Sequence, residues 1–178
     1  MVTGSANVTF TGDTNFGCGV WGYTCVGGGD SDAALSFSTY TGTFSGKVGG
    51  FDGGITFAGD TAMTLATAAE VSNGAWTFDV AERGSALADT ALLTWTAADF
   101  TDDTIAINLA TGDTNAWSLV SAAGATADKF NKFDVQVNGT SILADTIGLN
   151  EAIDGTGTAY DGWGFTLEDS VLKFKNLA

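Results

Sequence analysis

The sequence predicts an all-β chain built as a parallel β-solenoid, a coil of short strands stacked as rungs, and closed by an antiparallel β cap. Three observations carry this expectation. The first is a tripeptide, apolar–hydroxyl–apolar, that returns seven times. It reads Val8-Thr9-Phe10, Leu35-Ser36-Phe37, Ile55-Thr56-Phe57, Trp76-Thr77-Phe78, Leu93-Thr94-Trp95, Trp117-Ser118-Leu119 and Phe165-Thr166-Leu167. Successive starts lie 27, 20, 21, 17, 24 and 48 residues apart. Strand side chains alternate between faces, so each copy sends two apolar groups inward and one hydroxyl outward. Strands recurring at a near-constant spacing are the signature of stacked repeats. The second observation is the acid usage: 17 of the 21 acidic residues are Asp. Turns favour Asp, whose short carboxylate bonds nearby backbone N–H groups, whereas helix surfaces favour Glu. The third is that 12 Phe and 5 Trp are spread along the whole length, as a coil needs if each rung supplies its own core. A β-sandwich is the alternative architecture.

Taken in order, residues 1–34 give a strand around Val8 and Phe10 and then a glycine-rich excursion from Gly17 to Gly29, a loop by composition. Residues 35–67 carry bursts of alternation (Leu35/Phe37, Phe44, Val48, Ile55/Phe57, Met63/Leu65) separated by Gly, Ser, Thr and Asp, which is the local pattern of rungs. Strands are expected near 75–80, 91–96, 104–109 and 116–121. Val80–Thr90 and Thr126–Lys132 read as loops with a helical turn. Asn138-Gly139, between Val135/Val137 and Ile142, is a two-residue hairpin signal. Residues 163–175 form a second hairpin turning near Glu168–Ser170, with Phe165, Leu167, Leu172 and Phe174 inward and Lys173 and Lys175 outward. The organisation expected is rungs over 1–119 and a hairpin cap over 120–178, the cap covering an edge that would otherwise recruit other chains.

With 6 basic against 21 acidic residues and a net charge of −15, the chain offers no basic stripe for phosphates, so nucleic-acid binding is excluded as an expectation. No run approaches the length of a membrane-spanning helix. The chain has no His and one Arg, which sets aside nucleophilic triads. The remaining catalytic option is a carboxylate pair among Asp99, Asp102 and Asp103, flanking Phe100. A hydrated turn explains those three residues better, and the expectation is a non-enzyme.

Binding candidates follow from residue type. Trp21 and Tyr23, in the glycine-rich loop, and Tyr160 and Trp163, near the end, are candidate sugar-stacking aromatics. Gly-Asp-Thr recurs at 12–14, 59–61 and 112–114, making Asp13, Asp60 and Asp113 candidate Ca²⁺ ligands. Each motif supplies one carboxylate and one hydroxyl, fewer oxygens than calcium takes, so Asp bonding its own turn is the stronger reading. Cys18 and Cys25, with six residues between them, either close the loop as a disulfide or are two buried thiols. Asn7 and Asn138 head N-glycosylation patterns.

The stretch Val8-Thr-Phe-Thr-Gly-Asp-Thr-Asn-Phe-Gly-Cys-Gly-Val-Trp21 resembles the Phe-x-x-Asn and Gly-Gly-Ala-Ile repeats of polymorphic outer-membrane and autotransporter passenger proteins. Asp13 stands where that family has Asn, and Gly17-Cys18-Gly19-Val20 is a broken Gly-Gly-Ala-Ile. Leu35 to Phe57 looks like rungs of the same adhesin-like β-helices, so the resemblance spans residues 1–80. It implies a right-handed parallel β-helix on a bacterial cell surface, acting in adhesion or as a stalk. Its partners would be glycans or proteins of a host or neighbouring cell, or further copies of itself. The expected function is therefore a non-enzymatic, extracellular structural segment of a larger surface protein. A carbohydrate-binding module of a secreted enzyme and a self-assembling filament or surface-layer subunit are the alternatives.

Overall fold

Alternating β-branched and aromatic residues suit a pleated, half-buried surface, and the computed structural model of the chain is all-β. It describes residues 2–3, 10–11, 35–45, 48–49, 54–65, 71–72, 75–154 and 157–178. In chain order the strands are β1 (Val2–Thr3), β2 (Phe10–Thr11), β3 (Leu35–Ser38), β4 (Thr41–Ser45), β5 (Val48–Gly49), β6 (Ile55–Ala58), β7 (Ala62–Leu65) and β8 (Val71–Ser72). They continue with β9 (Ala75–Asp79), β10 (Leu93–Trp95), β11 (Thr104–Leu109), β12 (Trp117–Ser121), β13 (Phe133–Val137), β14 (Thr140–Ser141), β15 (Trp163–Glu168) and β16 (Val171–Asn176). The loops expected at 80–90 and 126–132 each hold one short 3-10 turn, at Ser85–Leu87 and Ala127–Lys129.

Two seven-stranded sheets contain most of these strands, and the chain visits them alternately from β3 to β13. The first sheet runs β1-β3-β6-β9-β11-β13-β14 and the second β15-β16-β12-β10-β7-β4-β2, with β5 and β8 paired separately. From β3 to β13 every neighbouring pair in the first sheet is parallel, and so is every pair from β2 to β12 in the second. The tripeptide copies at 35, 55 and 76 lie in register: Ser36 beside Thr56 beside Thr77, and Phe37 beside Phe57 beside Phe78. Ile105 and Phe133 extend the column that begins Leu35–Ile55–Trp76, although their own triplets have no hydroxyl. The copies at 93 and 117 belong to the second sheet and are out of register with each other, since Leu93 opposes Val120. The tripeptide is thus two ladders rather than one.

The boundary expected between 119 and 120 falls inside β12. Parallel pairing continues through β13, so antiparallel structure begins at β14. There Asn138 and Gly139, with φ of 50° and 76°, make the two-residue turn that β13 and β14 need. Asp169 and Ser170 turn β15 into β16 in the same way, and β16 lies antiparallel on β12. Segment 150–153 then covers the outer edge of β15: Asn150 N–H donates to Phe165 O (2.7 Å) and Ile153 N–H to Trp163 O (2.7 Å). Gly164 permits this approach, because a Cβ there would sit 2.3 Å from Glu151 O.

The core between the two sheets is aromatic. Phe57 stacks on Phe37 (5.7 Å between ring centres), Phe78 (5.3 Å) and Trp76 (6.0 Å). Trp76 of the first sheet stacks on Trp95 of the second at 5.8 Å, and Phe100 sets its edge against both. Each such side chain, fully removed from water, contributes about 1.5–3 kcal/mol. Parallel registry places like residue on like residue, so one sequence rule fills successive layers.

Candidate functional site

The acidic turns are where charge and the aromatic core meet. Asp99 begins an Asx turn, accepting from Thr101 N–H (3.1 Å) and Thr101 Oγ1–H (2.6 Å), and it also receives Lys129 Nζ at 2.8 Å. The lysine bond, then the threonine hydroxyl, hold its pKa down to about 2. Asp103 behaves in the opposite sense. Burial raises its pKa, which the bond from Trp76 Nε1–H (2.7 Å) partly offsets. The two carboxylates therefore titrate apart, as an acid and a base in one site would. Each is already engaged, however: Asp99 in an exposed ion pair and turn, Asp103 as the hydrogen-bond acceptor of a buried indole that would otherwise lack one. A buried donor without a partner costs about 1–3 kcal/mol, which accounts for keeping an acid at this depth.

Asp113 does the same work at the next turn. It accepts from Asn115 N–H (2.9 Å), Asn115 Nδ2–H (2.8 Å) and the indole N–H of buried Trp117 (2.8 Å). Asp60 is exposed and accepts Gly84 N–H at 3.4 Å. Asp60 thus serves a backbone donor, and Asp113 backbone, amide and indole donors. Among the described residues no three acidic or cysteine side chains converge where they would hold a metal ion. Asp13, Trp21 and Tyr23, together with Cys18 and Cys25, lie outside the described residues.

Tyr160 and Trp163 are core residues, 3% and 8% exposed, which corrects their reading as sugar-stacking aromatics. The reason is tertiary. Trp163 heads β15 and packs on Phe174 (5.4 Å), while Tyr160 sets its edge on Trp163 (5.8 Å) and donates its hydroxyl to Ala110 O at 3.0 Å. Neither ring leaves a face open for a sugar.

Arg83, which residue type alone did not single out, is the one arginine of the chain and is 6% exposed. It clamps three backbone carbonyls: Nη1 donates to Gly59 O (2.7 Å) and Thr61 O (2.9 Å), and Nη2 to Thr90 O (3.0 Å). Its Nε is buried without a hydrogen-bond partner. Burial lowers its pKa and the nearby Asp60 charge counters this. The clamp fastens loop 80–92 to the turn between β6 and β7. A lone arginine beside Glu82 in an otherwise acidic chain was the available signal.

Two open grooves lie near the C-terminus. One, of about 360 Å³, runs between Asn150 and Asn176 past Thr166, Glu168 and Lys175. Glu168 there pairs with Lys175 (2.5 Å) and Lys173 (3.8 Å). The other, of about 240 Å³, is lined by residues that include Ile142, Ile147, Ile153, Asp145 and Glu151. Among the described residues no helix is long and apolar enough to cross a membrane. No protein-family model, curated protein or solved structure matches the chain.

Proposed function

We propose that the chain is a rigid structural segment of a bacterial surface protein: a right-handed β-solenoid whose last rungs are closed by the C-terminal hairpins. The observation that carries this reading is the strand order. From β1 to β13, neighbouring strands of either seven-stranded sheet are separated in sequence by a strand of the other sheet, so each of these parallel links is a crossover. Crossovers of this kind are right-handed in about 98% of cases. A sandwich would use the same two faces but ordinarily pairs antiparallel strands through hairpins. Here, among the described residues, hairpins appear only from β13 onward. The resemblance of residues 1–80 to passenger repeats supports placement outside the cell.

The polar groups fit a structural role. Asp99, Asp103 and Asp113 hold turns and indoles, and Arg83 holds a loop. The hairpin cap covers both sheet edges at the C-terminal end, which favours a free-standing segment over open-ended polymerisation in that direction. Protease shaving of intact source cells, followed by immunoblotting for this chain, tests the surface assignment. The expected result is loss of signal while a cytoplasmic marker persists. A signal that disappears only after lysis contradicts it.

A further inference from the structure

We propose that the Asn138-Gly139 turn is a latent self-modification site, able to become aspartyl or isoaspartyl through a succinimide, and that Asn108 holds it unreacted. In an Asn-Gly pair no side chain hinders the attack of the glycine nitrogen on the asparagine amide carbon. Both residues are exposed at the tip of the β13–β14 hairpin, and a Cβ built on Gly139 meets nothing within 4 Å. Neither burial nor crowding restrains the reaction.

A ladder of hydrogen bonds does. Asp79, Asn108 and Gln136 occupy one outward column of the first sheet. Asp79 Oδ1 accepts from Asn108 Nδ2–H at 3.0 Å. Because a carboxylate is acceptor-only, it turns the NH₂ of Asn108 toward itself and leaves Asn108 Oδ1 facing the hairpin. That oxygen accepts Gly139 N–H at 2.8 Å, and Gly139 N is the nucleophile of the reaction. The group under attack is held as well: Asn138 Nδ2–H donates to Thr111 Oγ1 (2.7 Å) and Asn138 N–H to Leu109 O (3.0 Å). Attack requires Gly139 N to lose its proton and the Asn138 amide to swing over it, and both motions break these bonds.

The chemistry balances without a further reagent. Gly139 N gives its proton to solvent and bonds to Asn138 Cγ; the Cγ–Nδ2 bond breaks and ammonia leaves, taking up a proton. Water then opens the ring at either carbonyl, giving an α-linked aspartyl or a β-linked isoaspartyl. The isoaspartyl adds a backbone carbon to a two-residue turn. The short ladder Gln136–Ser141 and Val137–Thr140 cannot keep register around it, so the edge of β13 loses its cover.

Peptide mapping by mass spectrometry, with enzymatic isoaspartyl labelling, tests this on the full chain incubated at mildly alkaline pH. Asn73-Gly74, resolved in a different peptide, serves as a rate reference. The chain should react at Asn138 more slowly than a free peptide of residues 134–143. Thr111→Val, at an exposed position, and Asn108→Ala should each accelerate it roughly three- to tenfold, the worth of one hydrogen bond. A wild-type rate equal to that of the free peptide overturns the proposal. So do unchanged rates in both variants. Acceleration by Thr111→Val but not by a folded Asn108→Ala overturns the role given to Asn108. Should Asn108→Ala fail to fold, Thr111→Val decides alone.

Discussion

Replacing Phe57 by Ala should be among the most damaging single changes in this chain. Phe57 is 0% exposed and its ring contacts three others, in the strand before (Phe37) and the strand after (Trp76 and Phe78). A buried Phe→Ala change costs about 3–5 kcal/mol through lost transfer energy and the cavity left behind. Aromatic pairing adds about 0.5–1.5 kcal/mol per pair, part of which is already in that figure. We expect about 4 kcal/mol, a large share of the roughly 5–15 kcal/mol that holds a domain together. For a chain of this size that is a fall in Tm of about 8–16 °C. Thr56, its outward neighbour, is the control: Thr56→Ala should stay within about 0.5 kcal/mol. Urea titration followed by tryptophan fluorescence and circular dichroism measures both. In the solenoid proposed above, rungs would contact mainly their neighbours, so a weakened β6 should also broaden or split the transition. If Phe57→Ala and Thr56→Ala cost the same, the assignment of faces is wrong and the registry argument fails with it.

Further outcomes follow from the polar and edge contacts. Arg83→Ala should cost about 3 kcal/mol by leaving the carbonyls of Gly59, Thr61 and Thr90 without their donor; Arg83→Lys, lacking the planar fork, should recover only part of this in the same titration. Asp103 has a folded pKa raised by burial, so its folded form binds a proton more readily than the unfolded chain and its contribution to stability falls as pH rises above the ordinary carboxylate value of 3.8. Asp103→Asn, which can still accept the Trp76 indole bond, should therefore gain on the wild type as Tm is compared from about pH 3 to about pH 7; a constant difference refutes the assignment. Asp99, held at about 2 by Lys129, runs the other way, and its contribution is present above 3.8 and lost as pH falls toward 2. Gly164→Ala should push segment 150–153 off β15, since its Cβ would meet Glu151 O at 2.3 Å, and size-exclusion chromatography with light scattering should then show association through the uncovered edge.

What the sequence made legible was local. The tripeptides at 35, 55 and 76 stack because alternation fixes their faces and their even spacing fixes their register. The positive-φ turn at Asn138-Gly139 and the closing hairpin were readable from residues adjacent in the chain. Pairing between distant strands was not. Partners in the first sheet lie 20 and 21 residues apart up to Trp76, then 29 and 28 for Ile105 and Phe133, because loops enter between β9 and β13. Ala106 and Asp134 also replace the hydroxyl there, so the tripeptide no longer marks the column. The candidate aromatics Tyr160 and Trp163 were misread for the same reason. Their burial depends on Ala110 and Phe174, and no neighbouring residue announces such contacts. Asp103 likewise finds Trp76 27 residues away, which no turn motif encodes.

Parallel, in-register stacking of alternate strands is the central claim, and the cross-strand pattern in an isotope-edited NOESY spectrum of the labelled chain tests it most directly. The account predicts contacts linking Thr56 to Thr77 and Thr77 to Ala106 in the parallel pattern, with Thr43 beside Thr64 and Thr64 beside Thr94 on the other sheet. Cross-peaks that instead pair β6 with β7 as an antiparallel hairpin would contradict it.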